Sequence, residues 1–241
     1  MRTILTLTKK ELKSYFFSPI AYIYLIVFLL FMGVWFFIIG NFFLNNQATM
    51  RSLFGPLPVV FLFFIPAITM RLWAEEKRSG TLEILLTLPV RDHEVVLGKW
   101  LASFLFLSLS ILLSFTIPLS IKFLAGGNLD FGMVATSYLG AILMGGAYLA
   151  IGLFLSFLTE NQIIAFIVSV VSIFTLWVIG EIIVLLPGFI APLAEFLGLG
   201  THYQSIGRGV IDTRDLLYYL SIIGFFLYLN VQVIAMRRWK A

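Results

Sequence analysis

Residues 71–100, RLWAEEKRSGTLEILLTLPVRDHEVVLGKW, decide how this chain folds. They hold Arg71, Glu75, Glu76, Lys77, Arg78, Glu83, Arg91, Asp92, Glu94 and Lys99, more than a third of all the charged residues. Yet the middle of the stretch, SGTLEILLTLP, is apolar. Long apolar runs lie on both sides. A charged hinge between oily segments is what a loop between two membrane spans looks like.

Composition agrees. The chain is 61% hydrophobic and 12% charged, with mean hydropathy +1.04. Soluble domains are roughly 45–50% apolar and about 25% charged, so the class is integral membrane protein. With no cysteine, disulfides, thiolate metal sites and Cys nucleophiles are excluded. The net charge of +4 is not a nucleic-acid signal, because in a membrane protein the placement of Lys and Arg outweighs their sum.

A spanning helix needs about 20 apolar residues. Six runs qualify: 20–40, 56–72, 100–123, 133–158, 163–186 and 216–236. They lack the alternation of a barrel strand, and unpaired backbone is not tolerated in lipid, so all six read as helices. The first is too long for a signal-peptide core and no small-residue cleavage site follows it, so it is expected to remain as a span. With six spans both termini share a side. That side would hold Arg2, Lys9, Lys10 and Lys13, the five cations of residues 71–100, and Arg237, Arg238 and Lys240. Only Arg51, Lys122, Arg208 and Arg214 fall opposite. The positive-inside rule makes the termini and the charged loop cytoplasmic.

Residues 3–17 place Ile4, Leu7, Leu12, Tyr15 and Phe16 on one helical face and Lys9, Lys10 and Lys13 on the other. This is a basic amphipathic helix suited to the membrane interface; the alternative is a snorkelling basic flank. Span four carries the small-xxx-small pairs Ala141/Gly145, Gly146/Ala150 and Gly152/Ser156, which let a neighbouring helix approach closely. The turn Thr159–Glu160–Asn161–Gln162 fits a T-x-x-Q capping box. Between spans five and six, PGFIAPLAEFLGLG is apolar but too broken to span, and reads as a short re-entrant or interfacial helix. Asp212 and Asp215 then suit the positive start of the sixth helix. His202 reads as an ordinary loop residue; the alternative is an external contact formed with Tyr203 and Gln204.

Ionisable groups inside a membrane are functional by default. Glu181, near the outer end of span five, is the one such residue. Two roles are open to it: a gate or path contact, and a structural partner for a polar group at the outer interface. Proton- or sodium-driven carriers need midplane ionisable groups or broken helices, which gives a stand-alone carrier or channel little support. His93 and His202 fall on opposite sides, so no acid–base cluster forms. No G-x-x-x-x-G-K-[ST] loop is present.

Within the opening stretch, Gly80 breaks the helix descending from span two. Thr81 is expected to cap the next helix, with Glu83 in its first turn. Leu82, Leu85, Leu86 and Leu88 give that helix an apolar face, and Pro89 ends it. Asp92 is expected to cap the helix entering span three, with Lys99 and Trp100 at the interface level. A solvated loop has no need of this apolar helix. It either lies on the membrane or docks into a groove on a soluble partner.

EEKRSGTLEILLTLPVRDHEVVLGK resembles the E-E-x-x-x-G-T-x-E-x-L-L-x-x-P-V motif of type-2 ATP-binding-cassette (ABC) transporter permeases. The TENQ turn and the C-terminal RGVIDTRDLLYYLS…RRW are also similar to that family. Its nearest branch is the gliding-motility-associated type, related to the permeases of nitrous-oxide-reductase maturation systems. The sequence departs at Arg91-Asp92, where the family has Ser-Asp. The resemblance implies an all-α fold: residues 1–241 as one permease domain, an N-terminal elbow helix over 3–17, six transmembrane helices, a cytoplasmic coupling helix between spans two and three, and short extracytoplasmic helices between spans five and six. It implies a probable exporter without catalytic residues, in the bacterial inner membrane. The partners implied are two ABC ATPase subunits, which hold the ATP and Mg²⁺, and a second permease copy or a related chain with an extracytoplasmic domain. ATPase coupling would fall to Glu75, Glu76, Arg78, Gly80, Thr81, Glu83, Leu85, Leu86 and Pro89, with Glu160, Asn161 and Gln162 in a second cytoplasmic turn. The path would be lined by spans one, two and five.

Overall fold

The computed structural model describes residues 2–45, 50–87, 89–124, 130–182, 196–209 and 212–238. It is all-helical, with no strand among the described residues. Among the described residues, six helices are long and apolar enough to cross a membrane: Pro19–Ile39, Arg51–Arg78, Asp92–Phe123, Phe131–Leu158, Gln162–Glu181 and Thr213–Arg237. Each of the six apolar runs overlaps one of them; the run 163–186 goes beyond its helix, and its residues 183–186 lie outside the described residues.

In chain order the helices are α1 (Arg2–Phe17), α2 (Pro19–Val34), a π-helical turn (Trp35–Ile39), α3 (Phe42–Asn45), α4 (Arg51–Phe54), α5 (Leu57–Thr69), α6 (Ala74–Arg78) and α7 (Thr81–Thr87). These are followed by α8 (Asp92–Leu113), α9 (Thr116–Leu124), α10 (Phe131–Leu158), α11 (Gln162–Glu181), α12 (Leu199–Gly207) and α13 (Thr213–Arg238).

Span four, α10, is the hub. It packs against α5, α8, α11, α12 and α13. Its small residues Ala141, Gly145, Gly146, Ala150, Gly152 and Ser156 are all buried within the subunit. Lipid tails are as apolar as leucine, so close backbone approach and hydrogen bonds must supply the association that the hydrophobic effect supplies in water. Gly152 provides the approach: a Cβ there would lie 2.3 Å from Thr69 Oγ1 and 3.0 Å from Thr69 Cβ on span two. Ser156 provides the bonds. Span two breaks between α5 and α6, and Ser156 Oγ accepts from the amides of Trp73 (3.2 Å) and Ala74 (3.3 Å) and donates to Met70 O (3.1 Å). One hydroxyl on span four thereby satisfies backbone groups that the break sets free.

Near the termini, α1 packs along α8. Thr8 Oγ1 donates to Gly98 O at 3.4 Å. Tyr15 stacks on Phe106 at 5.1 Å, and Tyr24 meets both Phe64 and Phe106, so one aromatic cluster joins α1 to spans one, two and three. Leu7, Leu12 and Phe16 of the expected apolar face do pack on the core, while Lys9, Lys10 and Lys13 are exposed. Spans one, five and six are by contrast mostly uncovered along their lengths.

Four local expectations need correction. Thr81 is the first residue of α7, and its hydroxyl turns back to Ser79 Oγ (2.9 Å) and Glu76 O (3.4 Å), leaving it no role as a cap. Asp92 is the first residue of α8 and Arg91 the cap position, because Glu94 Oε2 reaches back to the Arg91 amide at 3.3 Å. In the span four–five turn the cap is Asn161, whose Oδ1 accepts from the Ile163 amide at 2.9 Å; Thr159 Oγ1 instead accepts from the Asn161 amide. Finally, His202 lies on a helix, α12. Leu199, Tyr203 and Ile206 form its buried stripe at helical spacing, a signal the Gly-rich sequence obscured. Residues 187–195 of the PGFIAPLAEFLGLG segment lie outside the described residues, as does Leu88.

Candidate functional site

The loop that opened the sequence becomes a short rigid device. Below the break in span two, α6 runs to a turn closed by Ser79 Oγ donating to Glu75 O at 2.8 Å. Gly80 then adopts φ +70°, a left-handed conformation that costs glycine little and strains other residues. This reverses the chain into α7. Thr87 ends α7 two residues before Pro89, which disfavours helix at the residue preceding it.

The apolar residues of α7 do not share one fate. Leu82 is 1% and Leu85 9% exposed, and both join the core of the subunit. Ile84 is 65% exposed, on a face with the exposed Glu83 and Thr87. Leu86 lies on the same helix; its side chain lies outside the described residues. Two leucines thus anchor α7 while an isoleucine and a carboxylate point away from the subunit.

The charged rim also divides. Glu75 and Arg78 are exposed. Lys77 turns inward, its ammonium donating to Phe157 O and lying 4.2 Å from the centre of the Phe157 ring. Trp73 meets the same ring edge-on at 5.3 Å. These contacts bring the 71–91 segment against the end of span four, beside the turn Glu160–Asn161–Gln162. The two segments singled out in the sequence are therefore neighbours, with Glu160 and Asn161 exposed.

Glu76 also turns inward. Its Oε1 lies 2.7 Å from Lys99 Nζ, and Glu11 Oε1 lies 3.3 Å from the same nitrogen. Lys99 is 3% exposed and sits 4.8 Å from the centre of the Trp73 ring. The sequence expectation of Lys99 at the interface level did not include this pairing with Glu11 and Glu76. Two carboxylates from α1 and α6 make its burial on α8 affordable, and the triad ties these three helices together. Nearby, Tyr15 OH is 3.4 Å from Ser103 Oγ, and burial pushes the phenol well above its usual pKa and keeps it neutral.

On the opposite side, Glu181 ends α11 with an exposed side chain that accepts from Gln204 Nε2 at 3.1 Å. A second polar contact was not read from the sequence. His202 Nδ1 is 2.6 Å from Asp215 Oδ1, and the imidazole stacks on Tyr218 at 3.9 Å. Tyr203 OH donates to Phe54 O at 3.0 Å. These bonds fix α12 between spans two, five and six.

Among the described residues, no group of three His, Cys, Asp or Glu is placed to hold a metal ion. What the described residues offer is a held helix with an outward face.

Comparison with known proteins places most of the chain in a described family. The ABC-2 family transporter proteins match over residues 41–203, more than half of the chain, including the 71–91 segment, the 159–162 turn and Glu181. No curated protein matches. The chain belongs to the ABC-2 family of transporter proteins, as a membrane-spanning, non-catalytic permease subunit whose ATPase is a separate component.

Proposed function

We propose that the chain is one half of the permease of an ATP-driven exporter, with α7 as the helix that docks on the ATPase. The supporting observation is the division of α7: Leu82 and Leu85 hold it to the subunit, and Ile84 projects outward at 65% exposure. A helix tied at one face transmits displacement, whereas a solvated loop absorbs it. Glu83, Thr87 and Ile84 make the central contact, and Glu75, Arg78 and Pro89 border it. Glu160, Asn161 and Gln162 form the second contact. Charges at such a rim set register and partner choice more than raw affinity. Leu85 and Glu76 act from behind, by holding α7 and α6 in place.

In this reading two permease subunits work with two ATPase subunits, and ATP and Mg²⁺ are bound by the latter. The whole of residues 1–241 is one permease domain in a bacterial inner membrane. Both termini are cytoplasmic and α1 is an elbow helix at the membrane surface. Resemblance to the gliding-motility-associated branch supports a second permease that is either another copy or a related chain with an extracytoplasmic domain. The uncovered faces of spans one and five supply the subunit contact and the path, and Glu181 stands at its outer mouth.

Co-expression with its ABC ATPase subunit and affinity purification tests the docking claim. Ile84→Asp is expected to lower ATPase recovery by about tenfold, the equivalent of about 1.4 kcal/mol. Its thermal unfolding should match the parent, because Ile84 makes little contact within the subunit. Full ATPase recovery with Ile84→Asp would sink the assignment. Orientation has its own check. The chain has no cysteine, so a single Gln204→Cys, beside Glu181, should react with a membrane-impermeant maleimide in intact cells. Reaction only after permeabilisation would reverse the topology and remove Glu181 from the outer mouth.

A further inference from the structure

A cleft beside the proposed docking helix shares Glu75 and Glu76 with the docking site, and the transport reading gives its interior no role. It has a volume of about 440 Å³ and opens on the side of the termini, between α1, α6 and the start of α7. Its charges are ordered. The back wall is the Glu11–Lys99–Glu76 triad, in which two carboxylates share one ammonium and Glu76 Oε2 has no hydrogen-bond partner among the described residues. The wall is therefore net negative, and the exposed Glu75 adds to it. Lys10 and Arg71 also line the cleft, and neither makes a salt bridge among the described residues.

Arg71 stands at a junction. Its guanidinium is 5.9 Å from the centre of the Tyr15 ring. Tyr15, Ile20 and Arg71 belong both to the cleft and to a narrow apolar crevice that continues between Ala21 of span one and Ala67 and Ile68 of span two. Span one begins at Pro19, so the crevice lies beside the end of that span nearer the N-terminus. Moving out of the membrane, a ligand would meet apolar wall, then cation, then carboxylates.

That order is the order of groups in an aminophospholipid: acyl chain, phosphate, ammonium. We propose that the cleft holds the headgroup of a phosphatidylethanolamine from the leaflet on the side of the termini. The phosphate sits on Arg71 and Lys10 and the ammonium on Glu75 and the negative wall, while the acyl chains stay in the surrounding bilayer, because the crevice, at about 20 Å³, holds no more than a water. Charge-assisted hydrogen bonds favour this headgroup. Choline has no N–H to donate to the carboxylates, and a glycerol headgroup brings no positive charge to them. The lipid would wedge α1 against the segment that carries α7, and the proposal stands whether or not α7 docks on an ATPase.

The full chain, purified in detergent and stripped of lipid, is given equimolar palmitoyl-oleoyl phosphatidylethanolamine, phosphatidylcholine and phosphatidylglycerol, and retained lipid is read by native mass spectrometry. One phosphatidylethanolamine should be retained roughly fivefold over each of the others, the effect of one partly exposed ion pair. Lys10→Gln and Arg71→Gln should each lower its retention, and Glu75→Gln should erase its preference over phosphatidylglycerol. Lys10 and Glu75 are exposed, so these two variants keep the test clear of folding defects. Equal retention of the three lipids, preference for phosphatidylglycerol, or unchanged selectivity in Lys10→Gln and Glu75→Gln would overturn the proposal. So would displacement of the lipid by an equal concentration of O-phosphoethanolamine, which would make the ligand a water-soluble one.

Discussion

Lys99→Met is expected to lower the stability of the subunit by about 3–5 kcal/mol, because it leaves two poorly exposed carboxylates without their counter-ion. Glu11 and Glu76 are 17% and 20% exposed, so water entering the space beside them replaces the ammonium only in part. The contact is also a tie between distant parts of the chain, joining α1 and α6 to α8 across 88 and 23 residues. For a chain of this size the loss corresponds to a fall of roughly 6–20 °C in the thermal midpoint, readable by tryptophan fluorescence in detergent. Glu76→Gln added to Lys99→Met should restore more than half of the loss, since it removes one of the two stranded charges. An unchanged midpoint in Lys99→Met would mean that the triad holds nothing together. A loss that Glu76→Gln leaves untouched would mean that the lysine acts through its aliphatic stem and Trp73.

The second large effect lies at the crossing of spans two and four. A methyl group at Gly152 would lie 2.3 Å from Thr69 Oγ1. Thr69 is fully buried, β-branched and stiff about χ1, so it has little room to swing aside. Overpacking of this kind costs about 1–3 kcal/mol for Gly152→Ala. Gly152→Leu should exceed that and block accumulation of folded subunit. The strain is local, so Thr69→Ala in the Gly152→Ala background should recover part of the loss, with a coupling energy between the sites of about 0.5–3 kcal/mol. Strictly additive losses would show that the helices part elsewhere. Separation at this crossing would also pull Ser156 from the amides of Trp73 and Ala74, one turn further along span four, and so free the base of α6.

Much of this architecture is legible in the residues. Hydropathy locates the spans because a bilayer imposes length and apolarity on each helix separately. The reversal at Gly80 is equally local. What the sequence conceals is pairing between distant positions. Lys99 reads as an interface anchor, since nothing near it along the chain announces Glu11 or Glu76. The leucines of residues 82–88 read as one apolar face free for a partner or the membrane, and only packing shows that Leu82 and Leu85 are taken up by the subunit itself. His202 reads as a loop residue because Gly198 and Gly200 precede it, whereas Asp215 and Tyr218 hold it from the next span. The caps at Asn161 and Arg91 differ from those expected because several residues in each turn can serve, and the one bonded in the fold follows from chain direction.

The central claim is that α7 meets the ATPase through Ile84, and a photo-cross-link tests it most directly. Ile84→Cys in this cysteine-free chain, labelled with a benzophenone maleimide and illuminated in the assembled transporter, should yield one adduct whose mass is that of this subunit plus the ATPase. The same probe at Ile26, exposed midway along span one, should yield no ATPase adduct. An ATPase adduct at neither position, or at Ile26 alone, would contradict the account.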